Sequence, residues 1–211
     1  YPGFDYKSEY VTLNDDSRIH YVEQGSGSPI VLLHGAPTQA YLWRNVIPHL
    51  SSNNRVIAID LPNFGKSDKV GVLSFPQYTA RFGEFVNALG LDDITLVVHD
   101  IGGPIALNWA NANRERVARV SLLETFLGPL PSIDAAPRFF REPLNLFNPE
   151  LATLASVTNN GFVEGLLLNP QGGLINRSLN PEEATIYRAP FDTVEKRLPL
   201  GNLIDEIAVF D

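Results

Sequence analysis

A buried strand that ends on an aspartate constrains this chain more than any other stretch. The apolar run Leu96-Val97-Val98 leads through His99 to Asp100, and Gly102-Gly103 then opens a helical pattern. A side chain on such a sharp turn projects from the edge of the sheet, and the glycines let the helix pack close to the strand. The free amides and dipole of that helix favour an ionised carboxylate. Asp100 is therefore predicted to be a nucleophile, with a simple helix cap as the alternative.

Strand-like and helix-like patterns alternate through the first 130 residues. A hairpin is predicted at the N-terminus. The patterns that follow predict strands at 30–33, 55–60, 94–99 and 117–123, and helices at 38–49, 75–89 and 102–113. Such alternation predicts an α/β fold with a mostly parallel sheet flanked by helices.

The alternation stops after Gly128. The rest of the chain is punctuated by prolines, with helical patterns at 138–147, at 149–157 and from Asn180 onward, and a turn at Gly161. Segments of this kind suit a helical cap over the carboxyl edge of the sheet, where open α/β sheets place their ligands. The predicted domains are thus an N-terminal core at 1–130 and a helical cap at 131–211.

The composition excludes several classes of function. The chain of 211 residues carries a net charge of -8 and contains no cysteine. It therefore offers no basic patch for nucleic acid, no thiolate metal site and no cysteine nucleophile. No apolar run approaches the roughly 18 residues that span a bilayer. We expect no cofactor, no metal, no nucleic-acid or membrane partner, and a soluble cytoplasmic protein, with secretion left open.

Two further stretches place functional groups at the same edge of the predicted sheet. The turn His34-Gly35-Ala36-Pro37 follows a buried strand, and a backbone N–H there, with that of Ile101, would form an oxyanion hole. Glu124 ends the strand predicted at 117–123 and would orient and charge-stabilise a histidine base, with a salt-bridged strand end as the alternative. A carboxylate nucleophile displaces leaving groups from sp3 carbon, which suits carbon–halogen bonds and epoxides.

Longer motifs resemble the haloalkane dehalogenases of the α/β-hydrolase fold. They are the stretch 34–50, Asp60-Leu61 with 65–69, and His99-Asp100 with its glycines. The stretches 160–165 and 187–191 resemble that family's cap helices, especially in the branch that also contains coelenterazine luciferases.

The resemblance implies an enzyme with an aspartyl-ester intermediate. Asp100 would be the nucleophile and Glu124 the acid, and the substrate pocket would be lined by Phe162, Phe191 and Tyr187. The implied partners are a small apolar organic substrate, water and a halide ion.

Two positions differ from the family pattern. The family holds the departing halide with a tryptophan N–H directly after the nucleophile and a side-chain amide after the His-Gly pair, whereas this chain has Ile101 and Ala36. Each missing donor costs about 2 to 4 kcal/mol in the transition state. We therefore expect a poorly stabilised halide. The alternatives are an epoxide hydrolase, some of which carry isoleucine after the aspartate, and a non-catalytic or luciferase-like protein on the same scaffold.

The order of the histidines also differs from the family pattern. The fold places nucleophile, acid and histidine in that order, but all four histidines, His20, His34, His49 and His99, precede Asp100. The chain also ends at Asp211, before the last strands expected of the core. The sequence predicts that the C-terminal part of the fold is absent from this chain, and that a missing segment or a second chain supplies the base and completes the sheet.

Overall fold

A computed structural model describes residues 1–126, 154–171 and 175–208, with side chains up to residue 203. The chain divides into two compact units: Tyr1–Val70 with Phe75–Leu127, and Gly71–Ser74 with Gly128–Asp211. The predicted boundary at 130/131 and the helix predicted at 138–147 lie outside the described residues. The assignment of the second unit as a cap stays a prediction.

Six strands of the first unit form one sheet in the order β1-β2-β4-β3-β5-β6. The strands are β1 (Glu9–Thr12), β2 (Arg18–Gln24), β3 (Ser28–Leu33), β4 (Asn54–Ile59), β5 (Ile94–His99) and β6 (Val117–Leu123). β2 is antiparallel to both β1 and β4. All pairs from β4 through β3 and β5 to β6 are parallel. The predicted α/β fold with a mostly parallel sheet is confirmed.

β3 lies at the centre of the parallel part and is buried on both faces. Val31, Leu32 and Leu33 are all 0% exposed. A strand covered on both sides needs apolar side chains at every position rather than at alternate ones. This requirement explains the unbroken apolar run, and it brings the residues that follow Leu33 to the middle of the carboxyl edge of the sheet.

Three α-helices belong to the first unit: α1 (Ile47–Leu50), α2 (Phe75–Ala88) and α3 (Gly102–Ala112). α2 and α3 pack against each other, with the rings of Phe82 and Trp109 5.4 Å apart in an edge-on contact. Gly83 lies under Trp109, where a Cβ atom would come within 2.9 Å of the indole. Both helices match the predicted ones to within one residue at each end.

The single helix predicted at 38–49 is wrong. The segment contains a 3-10 turn at Ala40–Trp43 and then the short α1. Val46, in the middle of this segment, is 36% exposed.

Long-range hydrogen bonds explain why this segment does not form one helix. The N–H and the hydroxyl of Thr38, the first residue of the predicted helix, both donate to the carbonyl of Gly35, each at 2.8 Å. The N–H of Ala40 donates to the carboxylate of Asp60 at 2.6 Å. Groups that would begin a regular helix are thus committed to a turn and to a distant carboxylate.

All regular secondary structure in the described residues of the second unit is helical. It contains two π-helical segments, Leu154–Thr158 and Gly161–Leu167, then α4 (Pro181–Arg188), a 3-10 turn at Ala189–Phe191, and α5 (Val194–Ala208). The helix predicted to begin near Asn180 is confirmed. The turn predicted at Gly161 is made by Asn160, which has a left-handed φ of 54°, and Gly161 itself begins a helical segment.

Arg197 connects several segment ends within the second unit. Its guanidinium group donates to the carbonyls of Phe191 at 2.7 Å, of Val157 and Thr158 at 3.0 Å each, and of Asp192 at 3.1 Å. The last carbonyls of a helix have no partner within the helix. Arg197 therefore satisfies groups at the ends of the first π-helical segment and the 3-10 turn.

In the described part of the chain, β6 lies at an edge of the sheet and pairs with β5 alone. Its apolar side chains are exposed: Val120 by 43%, Leu122 by 46% and Leu123 by 39%. Unpaired edges with apolar side chains are sites at which a further strand or another chain can add. Among the described residues, no helix is both long and apolar enough to cross a membrane.

Candidate active site

The parallel pairing of β5 and β6 brings Asp100 and Glu124 to neighbouring positions. His99 and Leu123, the last residues of β5 and β6, are opposite each other in the register. The residue that directly follows each strand is acidic. The N–H of Asp100 also donates to the carbonyl of Leu123 at 3.3 Å. The two carboxylates predicted to be catalytic therefore emerge side by side at the carboxyl edge of the sheet.

Both acidic residues have strained backbones. Asp100 has a φ of 50° and Glu124 a φ of 40°, in the left-handed region that non-glycine residues seldom adopt. The Thr125 hydroxyl donates to the carbonyl of Asp100 at 2.6 Å. Gly103, at the start of α3, lies directly against the same Thr125 side chain. Thr125 thus links the strained turn after β6 to the strained turn after β5.

The carboxylate of Asp100 receives hydrogen bonds from main-chain amides. The N–H of Ala36 donates to its Oδ1 at 2.8 Å, and the N–H of Ile101 is a second donor to the carboxylate. β3 and β5 are adjacent, so the loop after β3 carries Ala36 to the turn after β5. Gly35 lies against the Asp100 side chain so closely that any Cβ atom at position 35 would collide with it.

Burial determines the electrostatics of Asp100. The residue keeps part of its surface accessible, but burial of the carboxyl group raises its pKa above the ordinary aspartate value. Hydrogen bonds from the amides of Ile101 and Ala36, and the nearby His99, act in the opposite direction. A carboxylate that is partly shielded from water and held by two fixed hydrogen-bond donors is a better nucleophile than a fully hydrated one, because less solvent must be displaced when it attacks.

His34 supports the loop that carries Ala36. Its ring is 0% exposed, and burial lowers its pKa to about 4. The Nε2 atom accepts from the N–H of Leu61 at 3.0 Å, so the proton of the neutral ring is on Nδ1, which donates to the Gly35 carbonyl at 2.9 Å. The neutral ring therefore connects the loop after β3 to the residue that follows Asp60.

Glu124 is exposed, unlike a charge enclosed in an apolar strand. Its position beside Asp100 is compatible with orienting a base, and that role stays a prediction. Within the described residues, no group of three or more His, Asp or Glu side chains could hold a metal ion.

The three predicted pocket residues belong to the second unit, whereas Ala36, Asp100, Ile101 and Glu124 belong to the first. Phe162 lies in the second π-helical segment, Tyr187 in α4 and Phe191 in the 3-10 turn. They are 3%, 4% and 1% exposed, respectively. Their burial suits an apolar lining, and their place in a substrate pocket stays a prediction.

Two residues near the nucleophile have roles that the sequence does not reveal. Thr125 bonds the Asp100 carbonyl, and the His34 ring bonds both Gly35 and Leu61. The only available signals were a hydroxyl residue directly after the predicted acid and a histidine directly before the predicted oxyanion loop.

A carboxylate on a turn between a central strand and a helix, faced by amides from the loop after the adjacent strand, is the arrangement of an α/β hydrolase. Residues 28–175 match the alpha/beta hydrolase fold family. The chain belongs to this family.

Relatives of this chain within the family include haloalkane dehalogenases. It is 35% identical over 185 residues to a haloalkane dehalogenase of Agrobacterium fabrum, covering 85% of this chain and 58% of that protein. It is 37% identical over 180 residues to one of Sphingobium indicum, covering 82% of this chain and 59% of the relative. The chain thus spans about three fifths of the length of these curated relatives.

Solved structures support the same relationship. The haloalkane dehalogenase DatA from Agrobacterium tumefaciens C58 matches with a TM-score of 0.85 and 30% identity, over 99% of this chain and 74% of that chain. The haloalkane dehalogenase DbeA from Bradyrhizobium elkani USDA94 matches with a TM-score of 0.88 and 28% identity, over 97% of this chain and 70% of that chain. Within its family the chain is haloalkane dehalogenase-like.

Proposed function

We propose that the full-length protein is a hydrolase that cleaves carbon–halogen bonds through an ester on Asp100. The observation that carries this proposal is the Asp100 carboxylate, which stands on a strained turn and accepts hydrogen bonds from the amides of Ala36 and Ile101. The names of the related proteins support the same chemistry.

The first step is displacement at an sp3 carbon. An Asp100 carboxylate oxygen attacks the carbon, a C–O bond forms, and the C–halogen bond breaks with its electron pair leaving on the halide. Neither Ala36 nor Ile101 contributes a side-chain donor, so the halide leaves into a site with few hydrogen-bond donors. We therefore expect iodide and bromide, which need less stabilisation, to leave much faster than chloride.

The second step is hydrolysis of the aspartyl ester. Water activated by a base attacks the ester carbonyl, and the negative charge that develops on the carbonyl oxygen lies where the Ala36 and Ile101 amides already donate. The bond between the carbonyl carbon and the alcohol oxygen then breaks, the alcohol leaves with a proton from the base, and the Asp100 carboxylate is restored. Donors at such a position are worth about 3 kcal/mol each in the transition state. Glu124, beside Asp100 at the sheet edge, would orient the histidine that serves as the base.

The test is turnover by the full-length protein of 1-bromobutane, 1,2-dibromoethane and styrene oxide, followed as bromide release and diol formation. We expect bromide release that falls to background in Asp100→Asn. The matched control is Asp93→Asn, an exposed aspartate that also has a left-handed φ, of 53°, and it should retain the wild-type rate.

Three outcomes would contradict the proposal. Bromide release that survives in Asp100→Asn would exclude Asp100 as the nucleophile. Diol formation from styrene oxide without bromide release would identify an epoxide hydrolase. No turnover of any of the three compounds would favour a non-catalytic protein on the same scaffold.

A further inference from the structure

A second set of nucleophile, histidine and aspartate lies in the first unit. Ser8 Oγ is 3.0 Å from Nε2 of His20, and Nδ1 of His20 is 2.7 Å from Oδ2 of Asp60. Ser8 precedes β1, His20 lies in β2, and Asp60 directly follows β4. Their order of contacts, hydroxyl to imidazole to carboxylate, is that of a serine hydrolase triad.

Hydrogen bonding shows that Asp60 is ionised. Its carboxylate accepts from the N–H of Ala40 at 2.6 Å, from the N–H of Lys66 at 2.8 Å and from the ring of His20. Burial is the largest influence on the pKa of Asp60 and raises it, but the interactions with His20, His34 and the N–H of Lys66 together outweigh burial, and the pKa is lowered. An ionised carboxylate only accepts hydrogen bonds. The Nδ1 atom of His20 must therefore carry a proton and donate it.

Lys66 is a second hydrogen-bond partner of Ser8. Its Nζ atom is 2.9 Å from Ser8 Oγ, and an ammonium group can only donate. The Ser8 oxygen therefore accepts from Lys66, and its second lone pair and its proton remain available to Nε2 of His20, 3.0 Å away. When Nε2 of His20 carries no proton it can take the hydroxyl proton of Ser8, and the Lys66 ammonium group then stabilises the negative charge left on oxygen.

The burial of these residues also fits a triad. His20 is 1% exposed and Asp60 2% exposed, whereas Ser8 is only partly buried. The hydroxyl of Ser67 accepts from the main-chain N–H of His20 at 2.8 Å and donates to the main-chain carbonyl of Asp60 at 2.6 Å. The base and its carboxylate are thus held rigidly inside the fold, and the nucleophile lies at its surface. The ring of Tyr10, 43% exposed, packs 5.2 Å from that of His20 and offers an aromatic wall.

We propose that Ser8 is the nucleophile of a second hydrolytic site that accepts activated aryl esters. Ser8 Oγ attacks the ester carbonyl while its proton passes to Nε2 of His20, and the Lys66 ammonium stabilises the oxyanion. The C–O bond to the phenol breaks, and the phenolate takes the proton from His20. Water then attacks the Ser8 ester with His20 again as the base, which releases the carboxylic acid and restores the hydroxyl. This site uses neither Asp100 nor Glu124.

The test combines kinetics with covalent labelling of the full-length protein. We expect hydrolysis of 4-nitrophenyl acetate to fall on the order of 100-fold in Ser8→Ala, since the nucleophile and its general base act together. A fluorophosphonate probe, mapped by peptide mass spectrometry, should modify Ser8 in the wild type. Lys66→Gln should slow hydrolysis and labelling together.

Two control variants isolate the site. Ser17→Ala removes another serine hydroxyl bonded to an aspartate, Asp15, and should change neither readout. Asp100→Asn should retain ester hydrolysis while losing bromide release, which separates this proposal from the proposed function. An unchanged rate in Ser8→Ala, or a probe adduct found only on other residues, would overturn the inference.

Discussion

At the scale of single residues, the proton balance of His34 gives the clearest measurable consequence. The folded state lowers its pKa from 6.5 to about 4. Below pH 6.5 the unfolded chain takes up a proton that the buried ring does not. His34 therefore contributes stability that is present above pH 6.5 and is lost as the pH falls towards 4.

We expect the His34→Gln variant to lose this part of the pH dependence. The full effect corresponds to about 3 kcal/mol of unfolding free energy between pH 7 and pH 4. Urea unfolding at both pH values measures it. His49→Gln, at an exposed position in α1, is the matched control and should keep the wild-type dependence. If the unfolding free energy falls by the same amount from pH 7 to pH 4 in the wild type and in His34→Gln, His34 is not the group responsible for the pH dependence.

The position of Asp100 is predictable from the sequence because a strand, a turn residue and two glycines are consecutive. The contacts of that residue are not predictable, because Ala36 is 64 residues away and Thr125 is 25 residues away. The exposure of Glu124 also follows from the place of β6 at the sheet edge, which is a property of the whole sheet.

At the scale of secondary-structure elements, α4 has an N-terminus made almost entirely of local interactions. The Asn180 side chain accepts from the N–H of Glu183 at 2.9 Å, and the Glu183 carboxylate accepts from the N–H of Asn180 at 3.0 Å. Arg177 adds two bonds to the same carboxylate, at 2.6 and 2.8 Å. This capping box satisfies two amides that would otherwise lack partners.

Asn180→Ala should destabilise α4 by about 1 kcal/mol, the usual effect of losing an N-cap side chain. Hydrogen exchange of the α4 amides should become roughly fivefold faster. Asn45→Ala, at an exposed position outside any helix, should leave these amides unchanged. Unchanged exchange in Asn180→Ala would show that the capping box does not limit opening of the helix.

Local and distant interactions explain which helices were predictable. The start of α4 is encoded by Asn180, Pro181 and Glu183, all within one turn, and its prediction is confirmed. The helix predicted at 38–49 is wrong because the Ala40 N–H donates to Asp60, 20 residues away. Periodicity describes which residues face the core, but it carries no information about such a partner.

At the scale of the whole molecule, the sheet is most stable at its centre. β3 pairs with both β4 and β5, and its last three residues are fully buried. Among the strands that the structure describes, β1 pairs with β2 alone and lies at one edge. Strands with partners on both sides open only when the domain unfolds, whereas edge strands also open locally.

Hydrogen exchange measured by mass spectrometry should therefore show slowest exchange in peptides that contain Val31, Leu32 and Leu33. Peptides covering Glu9–Thr12 should exchange at least tenfold faster. In urea, the rates of the two regions should converge as global unfolding becomes the common route. Equal protection of β1 and β3 in the absence of urea would contradict this ranking.

The hydrogen bond between Ala36 and Asp100 also has a consequence for the kinetics of folding. It joins residues 64 positions apart, and it forms only after the crossover from β3 through β4 and α2 has delivered β5 to its place beside β3. Contacts of such long range form late, because the chain must first lose the entropy of closing the loop. Asp100 therefore acquires its pair of amide donors only once the parallel sheet has been assembled, and a partly folded chain carries an ordinary, water-exposed aspartate at this position.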